Sequence, residues 1–459
     1  MKKKIQKEKL KVKVIFRKDD APFSITLANE VQKQKSNNVA PAEITPLKAE
    51  RKTFQLQAKA QKPKPGTSIC FYFQVHQPFR LMHYNFNQIH HNHFYEHYEQ
   101  NKNILDKVAE KCYIPTNEKI LELIKRFNGK FKVAYSISGT ALEQFELYRP
   151  DVLKSFKALM DTGFVEMLDE TYYHSLSFLY SKEEFNRQVN KHKEKIRQLF
   201  GVTPQVFRNT ELIYHNDLAK HISALGYKGI CCEGADKWLN GRTPNHVYKA
   251  PGVENFKLLL KNYSLSDDIA FRFSNRQWAD WPLTAEKFAA WVHQTAGSAE
   301  TINLFMDYET FGEHQWKETG IFDFLDHLPE KILEHPDFHF RTPSEVIDLY
   351  PARDDYDVPE YTSWADAERD LSAWRENEMQ TEALEKIYAL EREVKQTNNT
   401  DLINSWSKLQ TSDHFYYMST KFWTDGDVHK YFSPFDSPYD AAVYYMNVIS
   451  DLEASIKQP

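Results

Sequence analysis

Seven short apolar runs recur along the chain, at residues 69–75, 131–137, 164–168, 205–209, 229–232, 258–263 and 302–306, with longer, polar, helix-like stretches between them. Runs of this length that stay apolar on consecutive positions read as strands buried on both faces. Strands separated by segments long enough to cross over imply a parallel sheet. Seven of them within one domain predict a closed or nearly closed α/β barrel rather than an open sheet. In such barrels chemistry gathers at the strand C-terminal ends. Here those ends carry His76, Ser138, Glu166, Glu211, Glu233 and Asp307, an acidic set with one histidine.

The pattern changes after Tyr350-Pro351. A loop rich in Asp and Pro leads into residues 364–394, where Leu371, Trp374, Leu384, Ile387, Leu390 and Val394 recur at three- and four-residue steps for much of the span. That spacing predicts one long amphipathic helix. With apolar stretches at 402–409 and 441–456 it forms a helical C-terminal domain that packs on the barrel and lends residues to the cleft. The expected organisation is a tail over 1–66, a catalytic barrel over 67–350 and a helical domain over 351–459.

Charge sets the tail apart. Residues 1–66 hold 15 Lys and 2 Arg against 6 acidic residues, so 17 − 6 = +11, and the remainder of the chain carries −5 − 11 = −16. A Lys/Gln/Ala/Pro-rich stretch buries too little apolar area to offset its ordering entropy, so a solvated tail is expected, with a short strand conceivable at 12–16. It lacks the interleaved aromatics of a nucleic-acid binder, and no nucleic-acid partner is expected.

The 459 residues suffice for a large catalytic core, and 14% are aromatic, enough both to fill that core and to offer flat rings to sugar C–H faces. Only 14 glycines are present, with no G-x-G-x-x-G and no G-x-x-x-x-G-K-[ST], which argues against nucleotide chemistry. Cys70, Cys112, Cys231 and Cys232 show no C-x-x-C spacing, and a vicinal Cys231–Cys232 bridge in a strand would be strained, so reduced core thiols are expected. No apolar run approaches a membrane span and the basic start lacks an apolar signal core, so the cytoplasm is the expected compartment and no membrane partner is expected.

Two carboxylates stand out, Glu211 and Asp307, each just after a buried strand. A retaining glycosidase needs one ionised carboxylate to attack the anomeric carbon and one protonated carboxyl to release the leaving oxygen, about 5 to 5.5 Å apart. Arg208 and Asn209 beside Glu211 suit a charged nucleophile. The apolar Leu304-Phe305-Met306 before Asp307 suits a raised pKa and an acid/base role. Structural ion pairs are the alternative for each. His76, Glu166 and His174 are candidate contacts for sugar hydroxyls, Trp316 and Trp364 candidate stacking platforms, and Trp374 falls on a core-facing stripe. His90, His91, His93 and His97 form a separate cluster. His93 and His97 would share a face if helical and could then ligate a metal, with a solvated aromatic cluster as the alternative.

Five segments, in order, resemble the signature regions of glycoside hydrolase family 57, particularly its α-amylase-type members. They are Phe73-Gln74-Val75-His76-Gln77-Pro78; Gly163-Phe164-Val165-Glu166-Met167-Leu168 with Thr171 and His174; Phe207-Arg208-Asn209-Thr210-Glu211-Leu212-Ile213-Tyr214; Phe305-Met306-Asp307-Tyr308-Glu309-Thr310-Phe311-Gly312-Glu313-His314; and Ser363-Trp364-Ala365-Asp366 through Asp370-Leu371-Ser372-Ala373-Trp374 and Asn377, with Thr411-Ser412-Asp413-His414-Phe415-Tyr416 beyond. One departure is His215, which precedes Asn216-Asp217 where the family pattern runs directly from the tyrosine. The resemblance implies an incomplete TIM-like (β/α)7 barrel followed by helices, Glu211 as nucleophile, Asp307 as acid/base, retention of configuration, no cofactor and no obligatory metal. It also implies an α-1,4-glucan or maltooligosaccharide substrate, as in starch, glycogen or maltodextrin degradation. Transfer to a sugar hydroxyl, as in glucanotransferases and branching enzymes, is the alternative within the family. Further off stand a metal-dependent polysaccharide deacetylase that would use the histidine cluster, and a non-catalytic glucan-binding protein, against which the carboxylate pair speaks.

Overall fold

A computed structural model describes residues 66–421 and 433–457. The basic segment 1–65, with the strand considered at 12–16, lies outside the described residues. All seven strands anticipated from the apolar runs form: β1 (Thr67–Val75), β2 (Val133–Ile137), β3 (Val165–Met167), β4 (Val206–Arg208), β5 (Gly229–Glu233), β7 (Lys257–Lys261) and β8 (Thr301–Asp307). Two short strands escaped the sequence pattern, β6 (Val247–Tyr248), antiparallel to β7, and β9 (Phe338–Phe340), parallel to the start of β1. Neither exceeds three residues, too short for a period-two signal.

The sheet runs β3-β2-β1-β8-β7-β5-β4, with every neighbouring pair parallel where register is defined. Its outer strands meet at one bridge, where the Asp169 N–H donates to Val206 O at 3.0 Å and the Arg208 N–H donates to Asp169 O at 2.8 Å. A single residue thus draws the sheet into a ring. Parallel strands put all their C-terminal ends on one side, as a site built from His76, Glu211 and Asp307 requires.

The continuous apolar runs are explained by burial on both faces. In β1, Ile69, Phe71, Phe73 and Val75 pack outward into the layer of helices, while Cys70 and Tyr72 face the barrel interior with Leu259 and Phe305. Tyr72 meets Phe305 edge-on at 5.4 Å between centroids, an arrangement that the ring quadrupoles favour. The four cysteines are buried and free.

From Ser372 onward the described residues are mainly helical, but the single helix expected over 364–394 is broken. Helical structure appears at Ser372–Arg375, Glu378–Ala389 and Glu391–Gln396. Asn377 causes one break: its side chain accepts from the Gln380 N–H while the Gln380 side chain accepts from the Asn377 N–H, a reciprocal cap that starts a new helix. Asp366 and Arg369 have positive φ, which excludes helix before that point. Helices at Thr400–Lys408 and Pro438–Ile456 complete a second core around Leu384, Ile387, Trp406 and Val448, and Trp374 lies in it as its stripe position implied.

The histidine cluster belongs to this packing. Buried Asp451 accepts from the His90 N–H at 2.6 Å, the Tyr95 hydroxyl at 2.7 Å and His93 Nδ1 at 2.7 Å. The helix assumed for His93 and His97 begins only at Tyr98, with His97 as its N-cap, so the two do not share a helical face. Among the described residues no group of three or more His, Cys, Asp or Glu side chains could hold a metal, and no helix is long and apolar enough to cross a membrane.

Candidate active site

Glu211 stands three residues beyond the end of β4, in a 3-10 turn (Thr210–Leu212), with φ 56°. A left-handed backbone at a residue that carries a Cβ costs about 1–2 kcal/mol, so neighbours must hold it there. Two do so through the carboxylate. His174 Nε2 lies 3.0 Å from Oε1 and Trp364 Nε1 donates to Oε2 at 2.6 Å. The Trp364 N–H also donates to Glu211 O at 3.2 Å.

His174 is itself buried with φ 51°, and its Nδ1 lies 2.9 Å from Glu170 Oε2. Each of its ring nitrogens faces a carboxylate. Ionised carboxylates only accept, so both nitrogens must donate and the ring is an imidazolium. Burial works against that charge, but the hydrogen bonds and charges of Glu170 and Glu211 outweigh it and carry His174 up to about 9. Reciprocally, Glu170 is taken down to about 2, since the contacts of His174, with Arg208 and His192 behind, overcome its burial. Glu170 also accepts from Gln74 Nε2 at 3.2 Å and Ser136 Oγ at 2.8 Å.

For Glu211 the largest influence is likewise burial, which raises its pKa. His174, the Arg208 charge and the Trp364 indole together reverse it, and the carboxyl settles below its ordinary value. Asp307 goes the other way. It ends β8 beside Gln74 of β1, its carboxylate accepts no hydrogen bond from a described residue, and burial followed by the Glu211 charge pushes it up to about 6. Two carboxyls that feel each other's charge are thereby set in opposite protonation states on the acid side of neutral, above the pKa of Glu211 and below that of Asp307. Glu309, two residues on, is buried too. Its desolvation, then the charge of Asp307, raise it to about 8, with the Tyr113 hydroxyl and Gln77 amide donating to it.

His76, at the end of β1, stacks on His174 and links the barrel to the helical region. Its Nδ1 lies 2.7 Å from Ser138 Oγ and its Nε2 2.8 Å from Asp413 Oδ2. Burial and then the His174 charge lower its pKa, whereas Asp413 is held well below the carboxylate range once His76, His174 and Arg80 have overcome burial. A neutral His76 that donates from Nε2 to Asp413 and accepts from Ser138 at Nδ1 satisfies every partner.

The structure therefore brings Glu211, Asp307, His76, His174 and Trp364 into one connected site. Glu166 is a correction. It faces inward on β3, but its Oε2 accepts from the Ser344 N–H and Oγ, both at 2.9 Å, at the start of the helix Pro343–Leu349. That helix follows β9, which pairs with the first residues of β1, so Glu166 serves the end of the barrel opposite the site. Glu170, four residues later, takes the position near His174. Trp316 stands apart, 60% exposed, with Lys111 Nζ 5.7 Å from its ring centroid. Glu233 is buried against Arg369 at 3.0 Å and Lys261 at 3.8 Å. His215 resolves the departure in the third segment: it caps the helix Asn216–Ala224 by accepting from the Asp217 N–H.

Glu170 and Asp413 were missed as site residues. Both lay within or beside the quoted segments, but nothing in residue type or spacing distinguishes a carboxylate that braces a histidine from one on a solvated face.

Known proteins resemble this chain in sequence and in fold. The family model described as Glycosyl hydrolase family 57 matches residues 70–359. A protein of Methanocaldococcus jannaschii that bears the name "Putative alpha-amylase" is 46% identical over 404 residues, 85% of this chain and 85% of that protein. Among solved structures, a GH57-type branching enzyme from Pyrococcus horikoshii superposes with a TM-score of 0.60 at 16% identity, covering 80% of this chain and 87% of that one. A 4-alpha-glucanotransferase from Thermococcus litoralis gives 0.58 at 17%, over 77% of this chain and 56% of that one. At such identities the two structures establish the shared fold alone. From the family model and the long, close sequence match, this chain is a member of glycosyl hydrolase family 57.

Proposed function

We propose that this glycoside hydrolase cleaves α-1,4-glucans with retention of configuration, with Glu211 as nucleophile and Asp307 as acid/base. The observation that carries the reading is the split of the pair: Glu211 is held ionised by His174 and Trp364, while Asp307, free of hydrogen bonds from described residues, is raised to about 6. In the first step a Glu211 oxygen bonds to the anomeric carbon, the glycosidic C–O bond breaks, and the Asp307 proton goes to the departing oxygen. In the second, Asp307 takes a proton from water as the water oxygen bonds to that carbon, and the ester to Glu211 breaks to return its carboxylate. An α-glucan substrate is favoured by the name of the M. jannaschii relative.

His76 and His174 form one wall of the cleft, the exposed Trp316 ring offers a platform for a more distant glucose unit, and residues 351–459 act as a helical portion that completes a barrel over 67–350, with Trp364 and Asp413 as its contributions. Glu211→Gln tests the reading. Turnover of maltooligosaccharides is expected to vanish with the melting temperature preserved, and an unchanged rate overturns it.

Transfer to a sugar hydroxyl is the second reading, favoured by the names of the T. litoralis and P. horikoshii proteins, a 4-alpha-glucanotransferase and a branching enzyme. It shares the first step and differs only in which hydroxyl enters the second. Sizing the products from a single maltooligosaccharide separates the two, because transfer gives chains longer than the starting material and hydrolysis gives only shorter ones.

A further inference from the structure

Arg208 ends β4 three residues before Glu211. Its side chain is fully buried, and none of its three guanidinium nitrogens has a hydrogen-bond acceptor among the described residues. A buried guanidinium is among the most costly groups to leave without partners, so it persists only where the charges around it compensate. Here they surround it. Its charge acts on Glu170, Glu211 and Asp307, and its central carbon lies 5.0 Å from the centroid of the Trp364 ring, whose Nε1 donates to Glu211. Lys261 Nζ lies 5.2 Å from the same ring centroid, but it is also bonded to Asp267 at 3.1 Å and sits 3.8 Å from Glu233. Of these two cations Arg208 is the one without a hydrogen bond or ion pair among the described residues.

We propose that Arg208 is a positioning residue: held beneath Trp364 without hydrogen-bonding either carboxylate, it acts through space on the Glu211–Asp307 pair and biases Asp307 toward base duty once Glu211 is esterified. The inference rests on the assignment of that pair. The groups whose charges act on Asp307 are Glu211, Arg208, Lys261 and His174, with Glu309 two residues along the chain. In the resting enzyme Glu211 raises Asp307 against the three cations. When Glu211 carries the sugar as a neutral ester, that opposing charge is gone and the cations remain, so Asp307 gives up its proton more readily and accepts one from water in the second step.

The test compares Arg208→Met, Arg208→Gln and Arg208→Lys in the full chain, with the pH profile of kcat/KM and the pre-steady-state burst on an aryl maltooligoside as readouts. Loss of the cation raises both carboxyls, so both limbs of the profile are expected to move up by about one pH unit in the Met and Gln variants. The burst is expected to become more pronounced as the second step slows by about tenfold or more. Arg208→Lys keeps the charge and should lose rate while its limbs stay in place. A merely structural role lowers the active fraction without moving a limb. Limbs unmoved in a folded Met or Gln variant overturn the proposal; if neither folds, displaced limbs in the Lys variant overturn it. Glu211→Gln runs alongside. Turnover retained there sinks the assignment of the pair and this inference together, whereas unmoved limbs beside an inactive Glu211→Gln sink only the role of Arg208.

Discussion

His174 lies flat on His76, with 3.9 Å between ring centroids and 19° between ring planes. Two imidazolium rings in that arrangement would repel, and the partners decide which ring carries the charge. His174 faces two carboxylates, whereas His76 faces one carboxylate and a hydroxyl. The charged ring is therefore the one bonded to Glu211, and the neutral ring is the one that reaches the helical region.

That assignment fixes a pH dependence of stability. The pKa of His174 rises on folding from 6.5 to about 9, so its contribution is complete below 6.5 and is lost as pH rises through about 9. The pKa of Glu170 falls from 4.5 to about 2, so its contribution is complete above 4.5 and is lost as pH falls through about 2. Both are complete only between 4.5 and 6.5. Thermal unfolding should show a melting temperature that declines from pH 6.5 to 9, and His174→Gln should flatten that decline. An identical slope in both proteins contradicts the imidazolium.

Activity follows from the other two groups. In the proposed mechanism Glu211 acts ionised, and its pKa lies below the ordinary 4.5, so kcat/KM should rise with pH through that region. Asp307 must be protonated and sits at about 6, so kcat/KM falls above it. The profile should be a bell on the acid side of neutral. Asp307→Asn should lose the basic limb and retain most of kcat/KM on aryl glycosides, whose leaving groups need no proton in the first step, while kcat falls because the second step has lost its base; equal loss of kcat/KM on all substrates argues against acid duty.

Trp364→Phe keeps an aromatic ring, smaller than the indole, but removes the Nε1–H that donates to Glu211. A hydrogen bond to a charged group contributes about 1.5–3 kcal/mol, so kcat/KM should drop by about 10- to 100-fold with the acid limb displaced upward. A wild-type acid limb in that variant shows that the indole is packing alone.

Asn377→Ala removes the reciprocal cap that breaks the expected helix. The cost should be about 1 kcal/mol, read by chemical denaturation with no change in kcat. A neutral effect means that tertiary packing, and not the cap, sets the boundary.

Much of the fold was legible in the chain because parallel strands buried on both faces are apolar at every position, and the carboxylates proposed to carry the chemistry stand at their ends. Glu211 and Asp307 could be found that way. Glu166 could not be separated from Glu170 by residue type, since one lies within β3 and reaches Ser344 whereas the other lies just beyond the strand, where the chain path after Met167 turns it toward His174. The broken helix was hidden for a similar reason. Apolar spacing is indifferent to a cap at Asn377, and the positive φ at Asp366 and Arg369 leaves no mark on a hydropathy pattern.

The central claim is that Glu211 forms a bond to the sugar. Incubation with a slow fluorinated maltosyl fluoride, followed by intact-mass measurement and peptide mapping, tests it most directly. A single glycosyl adduct on the peptide that contains Glu211 is the predicted result, and an adduct on another carboxylate contradicts the account.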